Sequence, residues 1–307
     1  EADCTNGLKA LQDSWDTENA TYKLNRSKSY KSIKALSDIS FSIPKNSIFG
    51  ILGANGSGKS TLMKILPGLI MDWSGKIFYK NQLVEKNDNI LRKDFGYLIE
   101  SPTFYEYLSA KKNLEILSRI SDVKENRIEY VLDLVDLNHR CFDKVHEFSY
   151  GMKQRLGIAQ ALLHNPDIII LDEPNNGLDP NGIHDMIKLI KNLKAEGKTI
   201  CISTHNLKDV EEICTHFTVF RKGKCSQSKS MTDQLKQSNK WLINMENSDS
   251  GISLLKENFK ILNHFDNKIL IQSDSEITVN QLIKILKGYP VTKISKQSNL
   301  IDYFSND

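Results

Sequence analysis

An apolar run, Ile48-Phe49-Gly50-Ile51-Leu52, meets Gly53-Ala54-Asn55-Gly56-Ser57-Gly58-Lys59-Ser60-Thr61, which opens onto the helically spaced Leu62-Met63-Lys64-Ile65-Leu66. This reads as strand, glycine-rich loop and helix. The loop has the spacing Gly, four residues, Gly-Lys-Ser, in the context that spacing requires. Without side chains in the way, successive backbone N–H groups turn inward as an anion nest, and the helix N-terminus adds partial positive charge. Gly53, Asn55, Gly56, Ser57, Gly58, Lys59, Ser60 and Thr61 are therefore the expected phosphate-binding set. Lys59 is placed to reach the β- and γ-phosphates of a nucleotide, and the Ser60 hydroxyl to hold Mg²⁺. Pro67 should end or kink the helix early.

Downstream, Ile168-Ile169-Ile170-Leu171 is continuously apolar, the pattern of a parallel strand buried on both faces, and it ends in Asp172-Glu173-Pro174. Desolvating an unpaired carboxylate is expensive, so two at the end of a buried strand imply a cation or a reaction. Asp172 is expected to meet Mg²⁺ through water, and Glu173 to act as general base on the attacking water.

The rest of the composition excludes several classes. The 307 residues suggest about two domains, each with its own core. Forty-one basic against thirty-eight acidic residues give a net charge of +3 without long blocks of one sign, so charge argues for no nucleic-acid partner. Cys4, Cys141, Cys201, Cys214 and Cys225 are scattered and lack zinc or redox spacing, and read as reduced thiols in the cytosol. No apolar run approaches the roughly 20 residues of a membrane span, and no secretion signal is evident. Residues 1–20 carry no pattern joining them to the rest of the chain, and are expected to be an extension or cloning remnant.

Three further segments extend the pattern. Phe148-Ser149-Tyr150-Gly151-Met152-Lys153-Gln154-Arg155 precedes a helical stripe, Leu156, Ala159, Leu162 and Leu163, which Asn165-Pro166 closes. Gly177-Leu178-Asp179-Pro180 follows the carboxylates. Thr199-Ile200-Cys201-Ile202 then leads into Ser203-Thr204-His205, after a helix spaced by Ile183, Met186, Ile187, Ile190 and Leu193 and stopped by Gly197. The strands this helix joins should be parallel.

Together these residues resemble the nucleotide-binding subunit of an ABC transporter, over roughly Tyr22 to Lys224. The resemblance implies a P-loop NTPase core of α/β class with a helical signature subdomain at about 100–165. It makes Ser149, Tyr150, Gly151 and Met152 the signature that faces the nucleotide of an opposed subunit, with Tyr150 and Met152 departing from the usual Leu-Ser-Gly-Gly-Gln. Asp179 becomes the D-loop aspartate and His205 the switch histidine. Tyr30 becomes the aromatic on which adenine stacks, with Tyr22 as a competitor. Phe95 to Pro102 stands where the family carries its Q-loop, with Glu100 in place of glutamine as a candidate metal ligand and catalytic group. Glu100, the Met152–Gly157 run and Asn176–Pro180 most resemble the bacitracin and lantibiotic self-protection exporters.

The implied activity is ATP hydrolysis with Mg²⁺, in a dimer of two such chains or of this chain and a paralogous ATPase. It would be seated on a polytopic membrane permease that handles a peptide substrate, at the cytoplasmic face of a bacterial membrane. A soluble ABC-type ATPase that remodels ribosomes or DNA is the alternative, though such chains usually carry paired cassettes, a coiled-coil insertion or zinc cysteines, none of which is evident. A phosphate-loop GTPase is weaker still, since Asn239-Lys240-Trp241-Leu242 lacks the guanine-reading aspartate. The ATPase domain is expected to run from 21 to 225. Residues 226–307 read as strand, helix, strand, strand, helix, strand, the order of a small ferredoxin-like α+β domain.

Overall fold

The computed structural model describes residues 24–30, 33–84, 93–120, 123–246, 248–298 and 300. The expected extension at 1–20, Tyr22 and Cys4 lie outside them. The chain divides into two compact units, one ending at Ser228 and one beginning at Lys229.

In the first unit, strands β1 (Leu24–Tyr30), β2 (Ile33–Ile39), β4 (Ser74–Tyr79) and β5 (Gln82–Val84) form an antiparallel sheet in the order β2-β1-β4-β5. A second sheet runs β10-β9-β3-β8-β7-β6. It is built from β3 (Ile48–Gly53), β6 (Phe95–Leu98), β7 (Ile168–Asp172), β8 (Thr199–Thr204), β9 (His216–Arg221) and β10 (Lys224–Cys225). Its inner pairs are parallel, as the crossover at 180–195 required, and the β9–β10 pair is antiparallel. All six residues of β3 are buried, as are the first four of β7, which is why both read as unbroken apolar runs.

Helix α1 (Lys59–Ile65) follows β3 and packs on β2, β3, β7 and β8. It ends at Ile65, ahead of Pro67 as expected. One core joins the two sheets through this helix. The Phe41 and Phe49 rings stack at 5.5 Å, Phe220 meets Phe41 edge-on, and Leu62, Met63, Ile65 and Ile170 close around them.

Helices α2 (Ala110–Ile120), α3 (Glu125–Leu134) and α4 (Tyr150–Leu162) pack on one another, and α4 also lies against β6. That approach is close enough to need glycine. A Cβ on Gly96 of β6 would stand 2.2 Å from the Ala161 carbonyl oxygen of α4. Helices α5 (Pro180–Ala195) and α6 (Leu207–Ile213) follow β7 and β8.

The second unit opens with β11 (Lys229–Ser230) and α7 (Met231–Gln237), then runs β12 (Lys240–Met245), α8 (Ser248–Asn258), β13 (Lys260–Phe265), β14 (Lys268–Gln272), α9 (Val279–Ile285) and β15 (Val291–Gln297). Strands β12 to β15 pair antiparallel in the order β13-β14-β12-β15. From β12 onward the element order is the split βαβ arrangement. Trp241, Ile243 and Met245, alternating along β12, bury with Leu255, Ile269, Ile271, Leu282 and Leu286. Among the described residues, no helix is long and apolar enough to cross a membrane.

Candidate functional site

The loop between β3 and α1 is the centre of the site. Gly56 and Gly58 hold φ of +79° and +107°, a region where a side chain is strained, and this turns the loop over the start of α1. Nothing lies within 4 Å of where a Gly56 Cβ would stand, so the cradle is open there. The Ser57 hydroxyl is buried and has no hydrogen-bond partner in the structure. An orphaned donor buried within a glycine loop fits an anionic ligand.

Lys59, only 5% exposed, supplies the charge. Its ammonium donates to the Gly53 carbonyl at 2.7 Å and the Ala54 carbonyl at 3.2 Å, and stands 3.3 Å from Oε1 of Glu173. The other Glu173 oxygen, Oε2, is 2.9 Å from Nδ1 of His205. Lys59, Glu173 and His205, drawn from three distant stretches of sequence, therefore converge on the loop.

The ends of β7 and β8 explain the convergence. The parallel register sets Asp172 opposite Ser203. The Ser203 hydroxyl donates to Oδ1 of Asp172, while the Glu173 N–H donates to both the hydroxyl and the carbonyl of Ser203, at 3.0 and 3.2 Å. Glu173 itself adopts φ of +48°. Ser203 thus fixes both carboxylate residues, a role that sequence reasoning missed. Its signal was its place, two residues before His205 at the end of a strand that must pair with β7.

Ser60 is exposed at the start of α1. With Asp172 it offers hard oxygen donors of the kind Mg²⁺ takes together with substrate phosphates, rather than an all-protein cage. Among the described residues, no three His, Cys, Asp or Glu side chains are grouped closely enough to hold a metal by themselves. Glu100, expected near the metal, instead forms an ion pair with Lys64 of α1 at 2.6 Å and is 67% exposed. Lys64 holds its carboxyl below the usual range by hydrogen bond and charge. Glu100 is thus tied to the helix that starts at the phosphate loop, and not to Asp172 or Glu173. Its backbone, at φ +65°, is in the left-handed region. Tyr30 ends β1, opposite Ile33.

The segment expected to be the signature opens α4. The Ser149 hydroxyl caps the helix by accepting from the Met152 N–H at 3.3 Å. Asp179 caps α5 in the same way, taking the Gly182 N–H at 2.7 Å. The two helix starts face one cleft of about 360 Å³, lined by Ser149, Tyr150, Gly151 and Met152 on one side and by Gly177 and Asp179 on the other.

A parallel sheet with a glycine loop at β3, paired carboxylates at the end of β7 and a histidine at the end of β8 defines a phosphate-loop nucleotide hydrolase. Similarity to known proteins makes the class specific. The model of the ABC transporter family matches residues 36–176. The bacitracin transport ATP-binding protein of Bacillus licheniformis is 38% identical over 287 residues, 90% of this chain and 93% of that one. A lantibiotic transport ATP-binding protein of Streptococcus pyogenes is 42% identical over 200 residues, 65% of this chain and 86% of that one. Among solved structures, the dimeric post-hydrolysis state of the ATP-binding cassette MJ0796, bound to ADP and Pi, superposes with a TM-score of 0.62 at 26% identity, covering 68% of this chain and 98% of that one. The chain belongs to the ABC transporter family as an ATP-binding subunit, whose hydrolysis of ATP is coupled to transport.

Proposed function

We propose that this subunit powers a membrane permease that exports, or clears from the membrane, a peptide antibiotic of the bacitracin or lantibiotic kind, and that it works as a dimer at the cytoplasmic face. The observation that carries the catalytic part is the meeting of Lys59, Glu173 and His205 at the open glycine loop. The substrate class is supported by the two antibiotic-transport relatives, the first matched over 90% of this chain.

In this reading, the phosphates of ATP take the loop N–H groups and replace the Gly53 and Ala54 carbonyls on the Lys59 ammonium. That exchange draws Lys59 from Glu173 and leaves the carboxylate free to act. Glu173 accepts a proton from water as the water oxygen bonds to the γ-phosphorus and the bond to the β-phosphate oxygen breaks. His205 keeps hold of Oε2 and so orients the base. Ser60 and Asp172 would hold Mg²⁺, whose role is to neutralise charge developing on the phosphates. Tyr30 would carry the adenine. Ser149 and Gly151 would contact the nucleotide of the opposed subunit, and Asp179 would meet that subunit across the dimer.

The test is expression of the chain with a candidate permease gene in a sensitive bacterium. Resistance to bacitracin or a lantibiotic should rise, and should vanish with Glu173→Gln. Co-purification with ribosomes or DNA-repair proteins and no membrane protein would favour the soluble alternative.

A further inference from the structure

We propose that Tyr150 is a positioning residue that ties the signature helix to the loop carrying Glu173 within one subunit. The inference rests on reading Ser149–Met152 as the signature, where the resemblance leads one to expect glycine at position 150. A glycine there would present no side chain. Tyr150 instead presents a ring that is 44% exposed, on the wall of the cleft between α4 and α5.

The ring is fixed at both ends. Its hydroxyl accepts a hydrogen bond at 3.1 Å from Nε2 of Gln154, one turn along α4 and only 4% exposed. Its edge lies over Gly177, where an added Cβ would stand 3.2 Å from Cε1 of Tyr150. Gly177 also holds φ of +76°, so both space and backbone call for glycine. The neighbouring residues repeat the contact, since a Cβ on Gly151 would meet Leu178 at 3.4 Å.

What Tyr150 touches is a short, internally bonded loop. The Asn176 N–H donates to the Glu173 carbonyl at 3.0 Å and the Leu178 N–H to the Asn175 carbonyl at 3.3 Å. Asp179 anchors its far end by capping α5. A shift of the first turn of α4 therefore pushes on Gly177, and through three residues of bonded backbone reaches Glu173. Since the signature of one subunit answers to the nucleotide held by the other, this contact gives the opposed nucleotide a direct hold on the placement of the base.

The experiment is steady-state ATP hydrolysis by the full chain in complex with its permease, with nucleotide affinity measured separately by fluorescent ATP binding. Misplacing a catalytic group by about 1 Å costs up to roughly 100-fold, so Tyr150→Ala should lower kcat by roughly 10- to 100-fold. KM and ATP affinity should stay unchanged, and Tyr150→Phe, which keeps the ring over Gly177, should restore most of kcat. Gly177→Ala should be harmful beside Tyr150 and markedly less so beside Tyr150→Ala, a non-additivity that marks direct contact. Wild-type kcat in Tyr150→Ala, or equal losses in Tyr150→Ala and Tyr150→Phe, would overturn the proposal. If Gly177→Ala fails to fold, the two Tyr150 variants decide alone. Ser149→Ala separates the two readings: unchanged turnover there would remove the signature assignment while leaving the Tyr150–Gly177 coupling to its own test.

Discussion

The Lys59 ammonium stands 3.3 Å from a carboxylate oxygen of Glu173, so the group that should bind phosphate and the group that should activate water form an ion pair. Both are largely buried, at 5% and 20% side-chain exposure, and neither can be removed without leaving the other short of a partner. In the proposed mechanism nucleotide binding breaks this pair, which would link filling of the loop to release of the base.

Lys59→Ala should weaken ATP binding itself. Losing a charge-assisted contact costs about 1.5–3 kcal/mol, roughly a 10- to 100-fold rise in Kd. Equilibrium binding of fluorescent ATP checks it, and an unchanged Kd would count against the phosphate-loop assignment.

Gly96→Ala should destabilise the first unit. The new Cβ would stand 2.2 Å from the Ala161 carbonyl oxygen and 2.8 Å from Pro166, and neither the α4 backbone nor a proline ring yields easily. Overpacking of this kind costs about 1–3 kcal/mol. Urea unfolding should show the loss, whereas Gly197→Ala, with open space around it but φ of +87°, would report only backbone strain.

His164 gives the fold a pH dependence. Burial of its ring holds its pKa below the ordinary 6.5, opposed by the hydrogen bond to the Phe95 carbonyl and reinforced by the positive charges of Arg127 and Lys198. The folded state therefore binds this proton less readily than the unfolded chain. The contribution to stability is whole above about pH 6.5 and is lost as pH falls from there through the lower folded value. Urea midpoints between pH 7.5 and 5 should fall in the wild type, and His164→Gln should flatten that part of the profile.

Much of this was legible in the chain because the decisive signals are local. Gly53 to Thr61 needs only its own spacing and flanks to be read, and the run Ile168–Leu171 is apolar because both faces of β7 are covered. The helix at 180–195 announced itself by the spacing of Ile183 to Leu193 and by Gly197 just past its end. What escaped depends on register and on backbone turns. Ser203 matters because parallel pairing sets it beside Asp172, a consequence of register that its place before His205 only hints at. Glu100 reads as a metal ligand from its place in the sequence, but its left-handed backbone and its ion pair with Lys64, four residues beyond Ser60, are not visible there. Tyr150 looks like a blemish in a motif until Gly177, twenty-seven residues on, is found beneath its ring.

The central claim is that Glu173 is the base of an ATPase whose phosphate contacts lie elsewhere, and Glu173→Gln tests it most directly. Removing a general base costs about 10²- to 10⁴-fold in turnover while the binding contacts remain. Phosphate release by the Glu173→Gln protein should fall by that factor with ATP affinity retained, and light scattering with ATP and Mg²⁺ should find it held as a dimer. Phosphate release at the wild-type rate would contradict the account.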